Sequence, residues 1–368
     1  MLEKTSQHYF PGATENWERS PPAEAGFDAE ALQQAINHAI ASETLWTRDL
    51  QRSVDEQMNE PPPYNEILGP MQERGGQSGV ILRGGRIVAE WGTPARVDMT
   101  FSVTKSFVST CAGIAWDRGL IPDLHAPVRE LVDDGGFEAP HNDGITWHQL
   151  LQQTSEWQGT LWDKPDWIDH YRHSDKKGTR RELREPGTYW EYNDVRVNRA
   201  SLAILRVLRE PLPEVLKQSV MDPIGASDLW QWHGYRNSWV EIDGRQIQSV
   251  SGGGHWGGGM FISAHDMARF GYLYLRRGEW NGRRIVSEDW VDRATTPCEQ
   301  NPKYGYMLWL NGTQENAPSA PASSYFMRGA GSNVVWIDPD HDLVAVLRWI
   351  QKPKIDGFCQ RVIAAIAR

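Results

Sequence analysis

Phe101-Ser102-Val103-Thr104-Lys105 leads into the charge-free run Ser-Phe-Val-Ser-Thr-Cys-Ala-Gly-Ile-Ala-Trp at 106–116, so a hydroxyl and an amine stand at the start of an apolar stretch. Phe107, Val108, Cys111, Ile114 and Ala115 recur at helical period, and the run reads as a buried helix. If that helix begins near Ser102, positions 102 and 105 share one face and local geometry alone brings serine and lysine together. A serine hydroxyl needs an adjacent base to attack, and a lysine acts as one only when neutral. Burial at the positive end of a helix disfavours the ammonium, so Lys105 is expected to be a neutral base beside a nucleophilic Ser102. The plain alternative is a serine that caps a helix.

The same spacing occurs once more, at Ser174-Asp175-Lys176-Lys177, in a stretch (173–186) dense in Lys, Arg and Glu. No apolar helix follows it, and the second copy is expected to be a solvated loop.

Around the first copy, two β-rich runs flank Gly84-Gly85 and predict a hairpin at 79–91. Residues 28–42 read as an amphipathic helix, followed by a polar, Pro-rich passage to Gln77. From about 120 to 249 there are helical candidates at 147–153 and 198–208, long polar connections, and no clear alternating strand. After glycines at 252–254 and 257–259 come a helix at 264–277, strand-like runs at 304–310, 333–337 and 343–350, and a closing helix at 355–367. Strands at both ends with helices between predict an α+β fold: an antiparallel sheet flanked by helices, built from 1–118 and 250–368, with a mostly helical lobe inserted at 119–249. The 368 residues are enough for a large core.

The net charge is −10, and the Arg180, Arg181, Arg184 cluster is interleaved with Glu182 and Glu185, so nucleic acid is not an expected partner. No apolar segment reaches the length of a membrane span, residues 1–21 lack the core of a secretory signal, and the cytoplasm is the expected location. The three cysteines, Cys111, Cys298 and Cys359, suggest no disulfide framework, and Cys111 on the apolar stripe reads as a core residue. His170 and His173 are spaced too poorly, without a third ligand, to predict a metal, and no cofactor is expected.

Other residues can complete a site around Ser102. Tyr192, in Tyr189-Trp190-Glu191-Tyr192-Asn193-Asp194, is a candidate proton relay, with Tyr235 as a competitor and simple packing as the plain reading. Glycines in Arg328-Gly329-Ala330-Gly331-Ser332-Asn333 permit the close backbone approach an oxyanion site needs, or mark a bend. Several of the eighteen tryptophans, Trp157, Trp162, Trp167, Trp190, Trp232 and Trp256, are candidates for an apolar pocket, although most are expected in the core. His255, beside Trp256 in a Gly-rich segment, is expected near the cleft.

Taken in order, Ser102 to Lys105, Tyr192 to Asp194 and the strand at 329–333 resemble the β-lactamase-related serine hydrolases, in particular the class C-like branch with family VIII carboxylesterases and 6-aminohexanoate-oligomer hydrolases. Leu150-Leu151-Gln152-Gln153-Thr154-Ser155 and residues 255–271 extend the likeness, which runs from about 79 to the C-terminus. The resemblance implies a β-lactamase/transpeptidase-like fold, acylation of Ser102, Lys105 as base, Tyr192 as proton shuttle, and an oxyanion hole from the backbone N–H groups of Ser102 and Ala330. Asp194, Arg328, Gly329, Gly331, His255 and Trp256 are then expected to bind substrate.

Two departures shape the expected substrate. Asp194 stands where the family has a neutral amide, and no Lys-Thr-Gly occurs in the chain, which argues against penicillins or peptides as main substrates, with Arg328 as a substitute charge. The expected activity is hydrolysis of a small-molecule ester or amide, with a homodimer as the candidate assembly. The alternatives are a weak β-lactamase or D-aminopeptidase, and a penicillin-recognising or sensing protein with little turnover.

Overall fold

The hairpin expected around Gly84-Gly85 forms, and its first strand also pairs with the last strand of the chain. A computed structural model describes residues 8–13, 16–58, 60–172 and 174–367. In chain order, α1 (Ala29–Ala41) and α2 (Leu50–Met58) precede the hairpin β1 (Ser78–Arg83) and β2 (Arg86–Trp91). After β3 (Asp98–Met99), a 3₁₀ turn at Phe101–Val103 runs directly into α3 (Thr104–Asp117). Then come α4 (Trp147–Gln152), the small pair β4 (Thr160–Leu161) and β5 (Lys164–Pro165), a 3₁₀ turn at Asp166–Asp169, α5 (Asp194–Leu208) and α6 (Leu212–Leu216). The hairpin β6 (Gln231–Ile242) and β7 (Arg245–Val250) leads to β8 (Gly259–Ile262), α7 (Ala264–Leu275), the short pair β9 (Glu279–Trp280) and β10 (Arg283–Arg284), and α8 (Glu288–Ala294). Strands β11 (Trp309–Leu310), β12 (Tyr325–Gly329), β13 (Asn333–Asp338) and β14 (Leu343–Arg348) precede α9 (Ile355–Ala365).

The main sheet has the order β11-β12-β13-β14-β1-β2 and is antiparallel throughout, with Val80 opposite Val346. Both of its faces are covered. Val80, Leu82, Val335, Val344 and Val346 pack with Phe107 of α3 and Phe270 of α7, whose rings stack at 4.0 Å. Ile81, Val334, Trp336, Ala345 and Leu347 pack with Leu32 and Ile36 of α1 and with Phe358 and Val362 of α9. This double burial is why β14 reads Leu-Val-Ala-Val-Leu without polar alternation, which an antiparallel strand shows only where one face meets water.

Two regions differ from expectation. Besides the short pair β4-β5, the segment 119–249 contains the hairpin β6-β7, with β6 also joining β8 in a sheet of order β3-β8-β6-β7, so it is not simply helical. Its register shifts between Gly234 and Trp239, which breaks the period-two pattern by which a strand is recognised. Helix α2 forms inside the polar, Pro-rich passage that runs to Gln77. Leu50 and Val54 anchor it against Met99, Phe101 and Trp349. Among the described residues no helix is long and apolar enough to cross a membrane. The three cysteines are buried and free, and burial pushes the Cys111 thiol up, away from reactivity.

Candidate active site

Ser102 occupies the 3₁₀ turn that precedes α3, rather than the first turn of the α-helix itself. The turn runs straight into α3, so positions 102 and 105, three apart, lie on one face, and Lys105 Nζ is 2.8 Å from Ser102 Oγ. The turn is strained: Phe101 sits at φ 49°, a left-handed conformation that costs about 1–3 kcal/mol in a non-glycine residue. Its carbonyl accepts the Thr104 hydroxyl at 2.6 Å, and Thr104 Oγ1 in turn accepts Met260 N at 2.9 Å. Gly253, at φ 77°, presses on the same carbonyl, where a Cβ would come within 2.0 Å of Phe101 O. Ser102 makes no N-cap bond, and its Oγ also lies 3.5 Å from Gly253 O.

Lys105 is 1% exposed. Besides Ser102 it meets Gly252 O at 3.2 Å, the Tyr192 ring at 5.0 Å from its centroid, and Asp194 Oδ1 at 2.7 Å. Burial pulls the lysine down, but the Asp194 carboxylate, together with the neighbouring Tyr192, holds Lys105 above the ordinary lysine range. The expectation of a lysine made neutral by burial is therefore corrected: at rest the ammonium is favoured, because the interior supplies a counter-ion.

Asp194 is the first residue of α5, capped by Asn193, whose side chain accepts from Arg196 N. It is 1% exposed and faces three cations or potential cations: Lys105, Arg172 at 2.8 Å and His255 at 3.2 Å, while its own amide donates to Asp169 Oδ2 at 2.7 Å. Burial pushes the Asp194 carboxyl up, yet Arg172 and Lys105 hold it well below the usual carboxylate range. Asp194, expected to bind substrate, has both carboxylate oxygens turned to Lys105, Arg172 and His255. Asp169, bonded to Arg172 at 3.1 Å, is instead raised by its burial.

Tyr192 is 9% exposed, and its ring is in contact with Lys105, Arg172 and an aromatic wall. The wall consists of Trp309, stacked at 5.7 Å, with Trp190 and Tyr304. Trp309 was not among the tryptophans singled out. Trp157, Trp232 and Trp256 are buried and bonded to Gly136 O, Ser251 O and Glu60, as core residues. A second buried ion network fixes the segment leading to Tyr192: Arg181 pairs with both Glu156 oxygens at 2.6 Å and with Glu191 at 2.6 Å, and Arg196 reaches Glu156 at 2.7 Å. Tyr235, the competing relay, is buried with its hydroxyl near Asn198 and Ser251 at 3.2 Å each.

Gly329 at the end of β12 backs onto the Ser102 turn, where a Cβ would lie 2.1 Å from Thr100 O and 3.1 Å from Ser102 N. Ala330 follows it, its carbonyl accepting Asn333 Nδ2 at 2.9 Å, and Gly331 abuts the Trp349 ring. Arg328 points to the opposite face of the sheet, over the Phe326 ring and to Asn316, so its charge is directed away from Ser102. Strand alternation decides this, since Arg328 and Gly329 are consecutive. His255 and Trp256 lie behind Asp194, buried against Glu60, and line a cavity of about 420 Å³ with Val54, Asp55, Pro61 and Asn65. They are not in contact with the Ser102 hydroxyl side of the lysine.

The ligand atoms of Glu60, Asp169 and His255 lie within 4.8 Å of one another. Each carboxylate there already has a donor, Trp256 and Lys177 for Glu60 and Arg172 for Asp169, so the grouping is an ion-pair cluster. His170 meets Asp166 at 3.2 Å, and His173 lies outside the described residues. Arg172, Asp169, Glu60 and the Gly252-Gly253 carbonyls were all missed by sequence reasoning. Arg172 was in view only between the two histidines weighed for metal, and Glu60 sits in a Pro-rich passage without periodicity.

A sheet shared by the two chain ends, helices on both faces, and a Ser-x-x-Lys turn entering the buried helix define the β-lactamase/transpeptidase-like class. A family model described as Beta-lactamase matches residues 64–365, and the chain belongs to that family. It is 25% identical over 300 residues to a 6-aminohexanoate-dimer hydrolase of Paenarthrobacter ureafaciens, spanning 73% of this chain and 70% of the relative. Its fold resembles that of a D-stereospecific amidohydrolase from Streptomyces sp., with TM-score 0.57, 18% identity and coverage of 92% and 98% of the two chains. EstCE1, a hydrolase with promiscuous acyltransferase activity, gives TM-score 0.57 at 15% identity, over 92% and 99%.

Proposed function

We propose that the protein is a serine hydrolase that cleaves a small ester or amide through an acyl-enzyme on Ser102. The observation that carries this reading is the 2.8 Å contact between Ser102 Oγ and a buried Lys105 Nζ. Lys105, once deprotonated, takes the Ser102 proton as Oγ attacks the carbonyl carbon, and the backbone N–H groups of Ser102 and Ala330 stabilise the oxyanion. Tyr192 passes the proton to the leaving alcohol or amine. Water then attacks the ester, its proton returning through Tyr192 and Lys105 to Ser102. The aromatic wall of Trp190, Tyr304 and Trp309 suits an apolar acyl or amide chain. The named activities of the relatives, a dimer hydrolase, an amidohydrolase and a hydrolase with acyltransferase activity, are compatible with one such acyl-enzyme.

A second reading, a penicillin-recognising protein with little turnover, is favoured by one observation. Asp194 stabilises the ammonium form of Lys105, which lowers the supply of free base. Intact-mass spectrometry with burst kinetics on short nitrophenyl esters, 6-aminohexanoate amides and nitrocefin separates the two. A serine hydrolase shows a transient mass increase equal to the acyl group, lost in Ser102→Ala, with steady turnover. Full activity in Ser102→Ala overturns the mechanism, and a stable adduct without turnover supports the second reading.

A further inference from the structure

Behind Asp194 the ion cluster continues through His255 to Glu60, and nothing in the acyl-transfer steps above uses those two residues. His255 is 2% exposed and held between carboxylates: Nδ1 is 3.2 Å from Asp194 Oδ2, and Nε2 is bonded to Glu60 Oε1. Trp256 fixes the other Glu60 oxygen at 2.6 Å. Lys105, Asp194, His255 and Glu60 thus form an unbroken line of contacts from Ser102 to the cavity of about 420 Å³ beside Glu60.

The charged groups around His255 come from several elements. Asp194 faces it from α5, Glu60 from the segment after α2, and Asp169 and Arg172 from the turns before and after His170. Lys177 reaches Glu60 at 3.4 Å, Lys164 lies over the Trp256 ring at 5.1 Å, and Lys105 stands on the far side of Asp194.

We propose that His255, gripped by Glu60, is a positioning residue for acyl transfer: it shares the Asp194 carboxylate with Lys105 and so governs how firmly the lysine proton is held. This rests on the reading of Lys105 as the base for Ser102. The division of Asp194 is visible in the geometry, with Oδ1 on Lys105 and Oδ2 on Arg172 and His255. An imidazolium at His255 competes with the ammonium for one carboxylate and loosens the Lys105 proton, whereas a neutral imidazole leaves more of the carboxylate charge to Lys105. Burial alone would pull His255 down, but Glu60 and Asp194 hold it above the usual histidine range, which favours the imidazolium. Glu60 is itself held low, since His255 and Lys177 outweigh its burial.

Two measurements test this, one of them independent of catalysis. By reciprocity, removing the Lys105 charge must tighten the hold of Asp194 on His255. In NMR titrations of labelled histidine, with His255→Gln used for assignment, Lys105→Met is expected to raise the titration point of His255, and Glu60→Gln to lower it. Unchanged titration in both variants overturns the proposal, whether or not any substrate acylates Ser102. The second measurement is the pH profile of Ser102 acylation in His255→Gln, which retains a donor to Asp194 without its charge. The acid limb of kcat/KM is expected to move up by about one pH unit, with kcat at pH 7 down about tenfold and KM within about twofold. A folded His255→Gln with the wild-type pH profile overturns the proposal. If that variant does not fold, the Lys105→Met titration decides. Absence of acylation in the wild type counts against the hydrolase reading alone, since the titrations do not depend on it.

Discussion

Ser102-Val103-Thr104-Lys105 and Ser174-Asp175-Lys176-Lys177 share one spacing and differ in nearly everything else. At the first, a strained turn enters a helix buried from Thr104 to Ala115, and the lysine is enclosed with the serine. At the second, Ser174 is exposed and its hydroxyl donates to Tyr171 O three residues back. Spacing supplies proximity, whereas burial and a second set of partners supply chemistry. Lys177 is nonetheless more than a solvated charge: it reaches Glu60, so the two lysines stand at opposite ends of the same ion cluster. The loop reading holds for Ser174 and needs correction for Lys177.

The largest expected contrast lies between the two serines. Ser102→Ala should lower acylation by at least about a thousandfold, and Ser174→Ala should stay within about twofold, measured as kcat/KM on a nitrophenyl ester. Equal effects would erase the distinction drawn between the copies. Gly253→Ala comes next, since its Cβ has no room beside Phe101 O; a loss of about a hundredfold in kcat is expected because Ser102 is displaced. Circular dichroism separates this from unfolding.

Asp194→Asn tests what the buried copy owes to its counter-ion. Burial then acts on Lys105 without its main counter-ion, its pKa falls, and the acid limb of kcat/KM should move to lower pH, while loss of one partner of a buried pair costs about 3–5 kcal/mol in urea unfolding. An acid limb that moves upward would contradict the role given to this carboxylate.

Glu156 permits a pH test on stability. Its burial raises it, but Arg181 and Arg196 bring its carboxyl down to about 2, so its contribution is present above the unfolded carboxylate range near ~4.3 and is lost as pH falls toward 2. Glu156→Gln should flatten the acid side of the stability curve in chemical denaturation. The smallest effect is expected at Lys177→Ala, about 1 kcal/mol, because its Nζ stands 3.4 Å from Glu60, whose carboxylate keeps His255 and Trp256 as partners. A loss as large as that of Asp194→Asn would mean that the outer lysine also supports the cluster.

Much of the architecture was legible. The hairpin at β1 and β2, the helices α1, α3, α5, α7 and α9, and the strands β13 and β14 carry local signals, whether apolar periodicity, glycine turns or caps such as Asp28, and these survive folding because the core respects them. Strands β6 and β7 were not legible, because a register shift removes their alternation. Helix α2 was missed because three apolar residues, Leu50, Val54 and Met58, in a nine-residue polar segment signal too little.

The sequence alone determined the pairing of Ser102 with Lys105, since a three-residue spacing at the entry to an apolar helix is a local property of the chain. It also marked Tyr192 and the glycines near Ser102, because their residue types carry chemistry or conformational freedom. Only the tertiary structure decided the charge state of Lys105. Asp194, Arg172, His255 and Glu60 come from four separated segments, and a buried charge depends on which opposite charges are folded against it. The direction of Arg328 was likewise set by the sheet, because one step along a strand reverses the face a side chain occupies.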